Sequence, residues 1–259
     1  MVYRSEVAMN LDPFNLVLWK DDHLLVVDKP AGLPTLVDGY DPGAPYLVGL
    51  LRLAYEPLWV VHRLDRDTSG VMVFARATEV HRVLNAQFEG HTVSKIYHSL
   101  VTGDPRWTQK TVELPLRPNG DRRHRTVIDA HRGKKALTTL RVLDRFERFT
   151  LIEAIPQTGR THQIRVHLAA QGCPVVADAL YGNGRGILLS DLKPGYKGGA
   201  SDEKPLLERL GLHARSLSLT HPSTGERLYF EAPYPQDFSR VLKQLRRYCT
   251  PRTETHKSC

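Results

Sequence analysis

The chain has 259 residues, 41% of them apolar, which is enough for one large domain or two fused lobes with a sizeable core. No run approaches the roughly 20 apolar residues that span a bilayer, and the start MVYRSEVAMNLD lacks the apolar centre of a secretion signal, so a cytoplasmic protein is expected. Cys173, Cys249 and Cys259 are odd in number and widely spaced, which argues against a disulfide framework or a cysteine zinc site. The net charge of +8, mostly arginine, points to a phosphate-rich partner or to a solvated basic surface.

In chain order, LLVVDK after His23 reads as a short buried strand stopped by a Pro-Ala-Gly-Leu-Pro turn. A turn or two of helix is expected around Val48 to Leu53, then strands over 58–61 and 70–75. Thr78 is a plausible N-cap for a helix that runs to Phe88 and closes at Gly90. Residues 93–101 alternate as a strand, with Lys95, Tyr97 and Ser99 on one face. Residues 103–135 read as irregular and basic. A long hairpin over 136–146 and 149–155 turns at Glu147-Arg148, and a short helix over 164–170 ends at Gly172. Residues 182–205 read as a flexible insertion. A second hairpin over 213–220 and 227–231 precedes an amphipathic helix with Phe238, Val241, Leu242 and Leu245 on one face. Hairpin-connected strands outnumber helices, so an α+β architecture with a mixed, largely antiparallel sheet is expected. The domain plan is an N-terminal extension over 1–22, one catalytic domain over 23–248, and a polar tail over 249–259.

Three stretches could carry chemistry. Asp65 lies in VHRLDRDTSG, directly after an apolar strand, where a carboxylate can sit at the edge of a core; the plain alternative is a turn-capping aspartate, or one paired with Arg63 or Arg66. PQTGRTHQIRVHLA gathers Arg160, Thr161, His162, Gln163, Arg165 and His167 at a helix entrance, a place that attracts anions. His162 and His167 are five apart and do not share a helix face, so no metal is expected there. Tyr97 beside Lys95 could stack on a base, and the arginines and lysines of 117–135 form the best electrostatic footprint for nucleic acid.

Together these stretches resemble the RluA-type RNA pseudouridine synthases, from Asp28 to about Phe230. Asp28-Lys29-Pro30-Ala31-Gly32-Leu33 is similar to the family's opening motif, HRLDRDTSG to its catalytic loop, and Lys95-Ile96-Tyr97 to its tyrosine strand. GRTHQIRVHLA is similar to its third motif, and Leu212-His213-Ala214 with His221-Pro222 and Gly225 to its closing hairpin. The resemblance implies a pseudouridine synthase fold, with helices flanking the sheet and a catalytic cleft across it. It implies that Asp65 is the essential carboxylate, that Tyr97 stacks on the target uracil, and that Arg165 pairs with Asp65. Arg63 would take the departed nucleotide's place or hold its backbone, and Leu212 would line the uracil pocket. His62 and residues Arg160, Thr161, His162 and Gln163 would contact substrate.

The chemistry so implied breaks the N1–C1′ bond of uridine, rotates the uracil and rejoins it through C5, with no redox change and no cofactor. A carboxylate of reference pKa about 3.9 is ionised at neutral pH and can attack the sugar or take a C2′ proton. Extruding the nucleotide costs about a few kcal/mol, least in a loop or bulge, so structured transfer or ribosomal RNA is the expected substrate. A monomer with no obligate protein partner is expected. The rival readings are a non-catalytic RNA-binding or ribosome-assembly factor of the same fold, and a hydrolase, which would need a second, acid carboxylate.

Overall fold

Every side chain of the run SGVMVFA is buried, and the strand it forms is the one about which its neighbours are arranged. The computed structural model describes residues 11–39, 41–198 and 203–249, so residues 1–10 of the expected extension and 250–259 of the expected tail lie outside the described residues. In chain order the strands are β1 (Val17–Lys20), β2 (Leu24–Lys29), β3 (Trp59–Val60), β4 (Ser69–Ala75), β5 (Ser94–Thr102) and β6 (Gln109–Glu113). They continue with β7 (Leu116–Arg117), β8 (Val127–Ile128), β9 (Leu137–Phe146), β10 (Phe149–Pro156), β11 (Leu212–Thr220) and β12 (Arg227–Glu231). The helices are α1 (Leu47–Arg52), α2 (Thr78–Glu89), α3 (Gln163–Ala170) and α4 (Gln236–Tyr248). These elements fall into two units: residues up to Tyr97 with Leu212–Tyr234, and His98–Gly211 with the residues from Pro235 onward.

In the first unit β2 runs antiparallel to both β1 and β4, pairing Leu24 with Ala75 and Lys29 with Gly70 at the ends of the β4 ladder. The far edge of β4 takes β3 antiparallel at one end and β11 parallel at the other, and β12 completes a hairpin with β11. The parallel pair is short, Ser69 with His213 and Gly70 with Ala214. Gly70 is required there: its φ is +116°, and a Cβ would lie 2.2 Å from the Ala214 carbonyl oxygen. Leu24 to Val27 and Val71 to Ala75 form the core, over which α2 lays Val80 and Leu84, one turn apart. Thr78 is the first residue of α2; the cap position is Ala77, which offers no side-chain acceptor.

In the second unit β9 pairs antiparallel with both β10 and β6. The 103–135 segment expected to be irregular therefore contains an edge strand, β6, whose single buried side chain, Val112, is too weak a pattern to read. It also contains a small ladder of β7 and β8. Helix α4 buries Phe238, Val241, Leu242 and Leu245, the face its spacing predicts. The described part of the 182–205 insertion is irregular but anchored, with Ile187 and Leu192 buried and an Ile187–Leu207 bridge.

Candidate active site

The loop that carries Asp65 is held on both sides of that residue, by Thr35 before it and by the opening motif after it. Before it, Thr35 Oγ1 donates to the Leu64 carbonyl at 2.9 Å and accepts from the Leu64 N–H at 3.3 Å. After it, the Arg66 carbonyl accepts from the Gly32 N–H and from the Lys29 ammonium, both at 2.9 Å. Lys29 is fully buried and also donates to the carbonyls of Leu33 at 2.7 Å and Pro30 at 2.8 Å. A buried ammonium is costly unless hydrogen-bonded, and here it ties β2 to the loop. The Arg66 guanidinium pairs with Asp38, and the turn itself closes with Thr68 N–H on the Asp65 carbonyl at 3.2 Å. Behind the loop, Ser69 Oγ meets His213 Nδ1 at 3.0 Å. The backbone around Asp65 is thus fixed, and its side chain is half-buried.

Tyr97, half-buried near the middle of β5, packs on the first unit's core. Burial, and next the charge of Asp65, push its hydroxyl above the ordinary tyrosine range, so the phenol keeps its proton at neutral pH. The structure therefore brings Asp65 and Tyr97 within electrostatic reach of each other. Leu212 is buried at the start of β11, and Arg63 is exposed on the loop.

His62 is committed to the fold. Its Nε2 accepts from the Val73 N–H at 3.1 Å, and its ring stacks on Phe88 with centroids 4.7 Å apart. Burial, with the nearby Lys95 charge adding to it, lowers its pKa to about 3, so it is a neutral acceptor that braces the loop against β4 rather than a cation for phosphate. Asp21, His23 and His221 of the same unit also cluster, with potential ligand atoms within 4.8 Å. His221 Nδ1, however, faces the N–H groups of Ser223 and Thr224, which puts the ring proton on Nε2, where it donates to Asp21 at 2.8 Å. That arrangement locks a turn and opposes a metal.

In the second unit Arg165 is nearly buried within α3, and its partner there is a residue the sequence reading did not single out. Its Nε and Nη2 bond to the two carboxylate oxygens of Asp178, each at 2.8 Å. Its guanidinium carbon lies 5.1 Å from the centre of the Tyr181 ring. Burial works to raise the Asp178 pKa, but Arg165 and the Leu180 and Tyr181 N–H groups outweigh it and hold the carboxyl below its ordinary value. The Tyr181 hydroxyl accepts from the Thr126 N–H and meets His162 Nδ1, both at 2.9 Å.

Gln163, expected at the substrate, is turned inward and saturated. Its oxygen accepts from Thr158 and the Arg160 N–H, and its nitrogen donates to the Leu137 carbonyl and to Thr138, at 2.7 to 3.0 Å. An amide with two acceptor and two donor sites filled has nothing left for RNA. Arg160 spends its Nε on the Lys135 carbonyl at 3.0 Å, whereas Thr161 is exposed. In the basic segment, Arg117 pairs with Asp129, Arg125 with Asp121 and the exposed Lys135 with Glu113, while Arg122, Arg123, Arg132 and Lys134 also stand exposed.

Residues 23–170 match the model of the RNA pseudouridylate synthase family. The chain is also 38% identical over 241 residues to the ribosomal large subunit pseudouridine synthase D of Pseudomonas aeruginosa, covering 89% of this chain and 71% of that one. It belongs to the RNA pseudouridylate synthase family. Synthase D of Xanthomonas campestris is 40% identical over 240 residues, with 90% and 70% of the two chains covered. Among solved structures, human RNA pseudouridylate synthase domain containing 4 superposes with a TM-score of 0.69 at 26% identity, over 95% of this chain and 97% of that one. The α+β fold is that of the pseudouridine synthases, and the chain is an RNA uridine isomerase.

Proposed function

We propose that this enzyme isomerises uridine in structured large-subunit ribosomal RNA, using Asp65 as its essential carboxylate. The observation that carries the reading is the Asp65 loop itself, clamped at Leu64 by Thr35 and at Arg66 by Gly32 and Lys29, with the Asp65 charge felt at Tyr97. Such a frame holds a carboxylate at fixed geometry, which is what attack on a ribose or abstraction of its C2′ proton needs. The choice of RNA is supported by relatives that bear the name of ribosomal large subunit enzymes.

In this reading Tyr97 stacks on the uracil as a neutral phenol. Its raised pKa makes it a poor base at neutral pH, so the C5 proton goes to Asp65 after the new bond forms. Arg165 supplies the positive charge the carboxylate needs, Leu212 lines the uracil pocket, and Arg63 holds the gap left by the extruded nucleotide. The exposed Arg122, Arg123, Arg132, Lys134 and Lys135 grip the RNA backbone, with Arg160, Thr161 and His162 beside them. The reaction requires no cofactor, and the enzyme works as a cytoplasmic monomer.

The test is carbodiimide mapping of pseudouridine in large-subunit ribosomal and transfer RNA transcripts treated with the enzyme. New stops at one or a few uridines of the ribosomal transcript support the assignment. Modification of transfer RNA alone would move the substrate to that class.

A further inference from the structure

We propose that Asp178 is a positioning residue for the reaction, fixing the plane and direction of the Arg165 guanidinium; this rests on the reading that Arg165 takes part in catalysis. The Asp178 side chain is fully buried and the Arg165 side chain 9% exposed. The carboxylate takes the edge of the guanidinium that carries Nε and Nη2, and the guanidinium carbon lies over the Tyr181 ring. A carboxylate that takes Nε and Nη2 together lies along that edge of the guanidinium, and with the Tyr181 ring beside it the Arg165 head group is held in one orientation.

The surroundings are built to hold Asp178 still. Its Oδ1 also accepts from the N–H groups of Leu180 at 2.9 Å and Tyr181 at 3.1 Å, which closes the turn over the ion pair. Ala177, just before it, has φ +59°, and His162, just before α3, has φ +53°. Left-handed backbone is disfavoured for residues that carry a Cβ, and here it occurs beside each of the two elements whose side chains must meet. The same turn is tied to the basic segment, because Arg125 donates to the Leu180 carbonyl at 3.0 Å and the Tyr181 hydroxyl accepts from Thr126. A carboxylate that only neutralised a buried arginine would need neither the second oxygen nor this frame.

The test is a double-mutant cycle on kcat and KM with a ribosomal RNA transcript, at a temperature where circular dichroism shows every variant folded. Asp178→Asn keeps the shape but replaces one acceptor with a donor that opposes a guanidinium N–H. It is expected to lower kcat by about 10- to 100-fold with KM changed by less than about threefold, the size of loss a misplaced group produces. In an Arg165→Ala background the same change is expected to lower kcat by less than about twofold, because Asp178 acts through Arg165. Wild-type kcat for folded Asp178→Asn, or a loss that multiplies onto that of Arg165→Ala, would overturn the inference. Wild-type kcat for Arg165→Ala would instead overturn the role of Arg165 itself, and the positioning role with it. If Asp178→Asn does not fold, Arg165→Lys serves, since an ammonium keeps the charge but cannot span both oxygens; kcat close to that of Arg165→Ala is expected, and wild-type kcat would overturn the inference.

Discussion

Replacing Lys29 by methionine keeps the length of the side chain and removes the donor that joins β2 to the Asp65 loop. Three carbonyls lose an ammonium partner, those of Pro30, Leu33 and Arg66. The bond to Leu33 is buried, and leaving that carbonyl unsatisfied costs about 1–3 kcal/mol. The other two bonds are part-buried, and Arg66 keeps its bond from Gly32, so each contributes about 0.5–1 kcal/mol. Together these come to about 2–5 kcal/mol, which no longer burying a charge reduces to an expected net loss of about 2–4 kcal/mol. Equilibrium urea unfolding, followed by the fluorescence of Trp19 and Trp59 in the first unit, reads this as a midpoint lowered by about 1 M at a slope of about 2–3 kcal/mol/M. The variant should also lose kcat, since the backbone after Asp65 is released. A midpoint within about 0.2 M of the wild type would refute the view that this ammonium organises the loop.

Acid should destabilise the fold through His62. Its pKa is about 3 folded and 6.5 unfolded, so its contribution is fully present above 6.5 and is lost as pH falls toward 3, because unfolding takes up a proton in that window. Lowering the pH from 7 to 5 should cost about 1–2 kcal/mol, allowing for the ring being half-exposed, and His62→Gln should flatten that part of the urea-midpoint profile against pH. Gly70→Ala should be among the most damaging single-methyl additions, at about 3 kcal/mol or more, because the new carbon meets the Ala214 carbonyl at 2.2 Å and φ is +116°. Its thermal melting temperature should fall sharply, whereas Gly225→Ala, at φ +75° with nothing within 4 Å of the new carbon, should cost about 1 kcal/mol.

What could be read in advance follows from the range of the interactions. The long hairpin of β9 and β10, the closing hairpin of β11 and β12, and the apolar face of α4 are local patterns of period two or 3.6, and they appear where expected. Edge strand β6 escaped because one buried valine makes no period. The Asp65 loop stood out by its wording, but its clamps could not be seen, since Thr35 and Lys29 reach it across 29 and 37 residues. Gln163 and His62 looked like substrate contacts because they are polar residues inside motifs; the fold shows the Gln163 amide spent on backbone and neighbouring side chains and His62 Nε2 held by the Val73 N–H. Asp178 gave no signal at all. It sits outside any regular element, 13 residues beyond the arginine it holds.

The central claim, that Asp65 carries the isomerisation, is tested most directly by tritium release from a large-subunit ribosomal RNA transcript labelled at uridine C5. Wild-type enzyme without added cofactor is compared with Asp65→Asn, which keeps the side chain's size and removes its charge. The account predicts release by the wild type and none above background by the variant, with RNA affinity and melting temperature retained. Release by Asp65→Asn at the wild-type rate would contradict it.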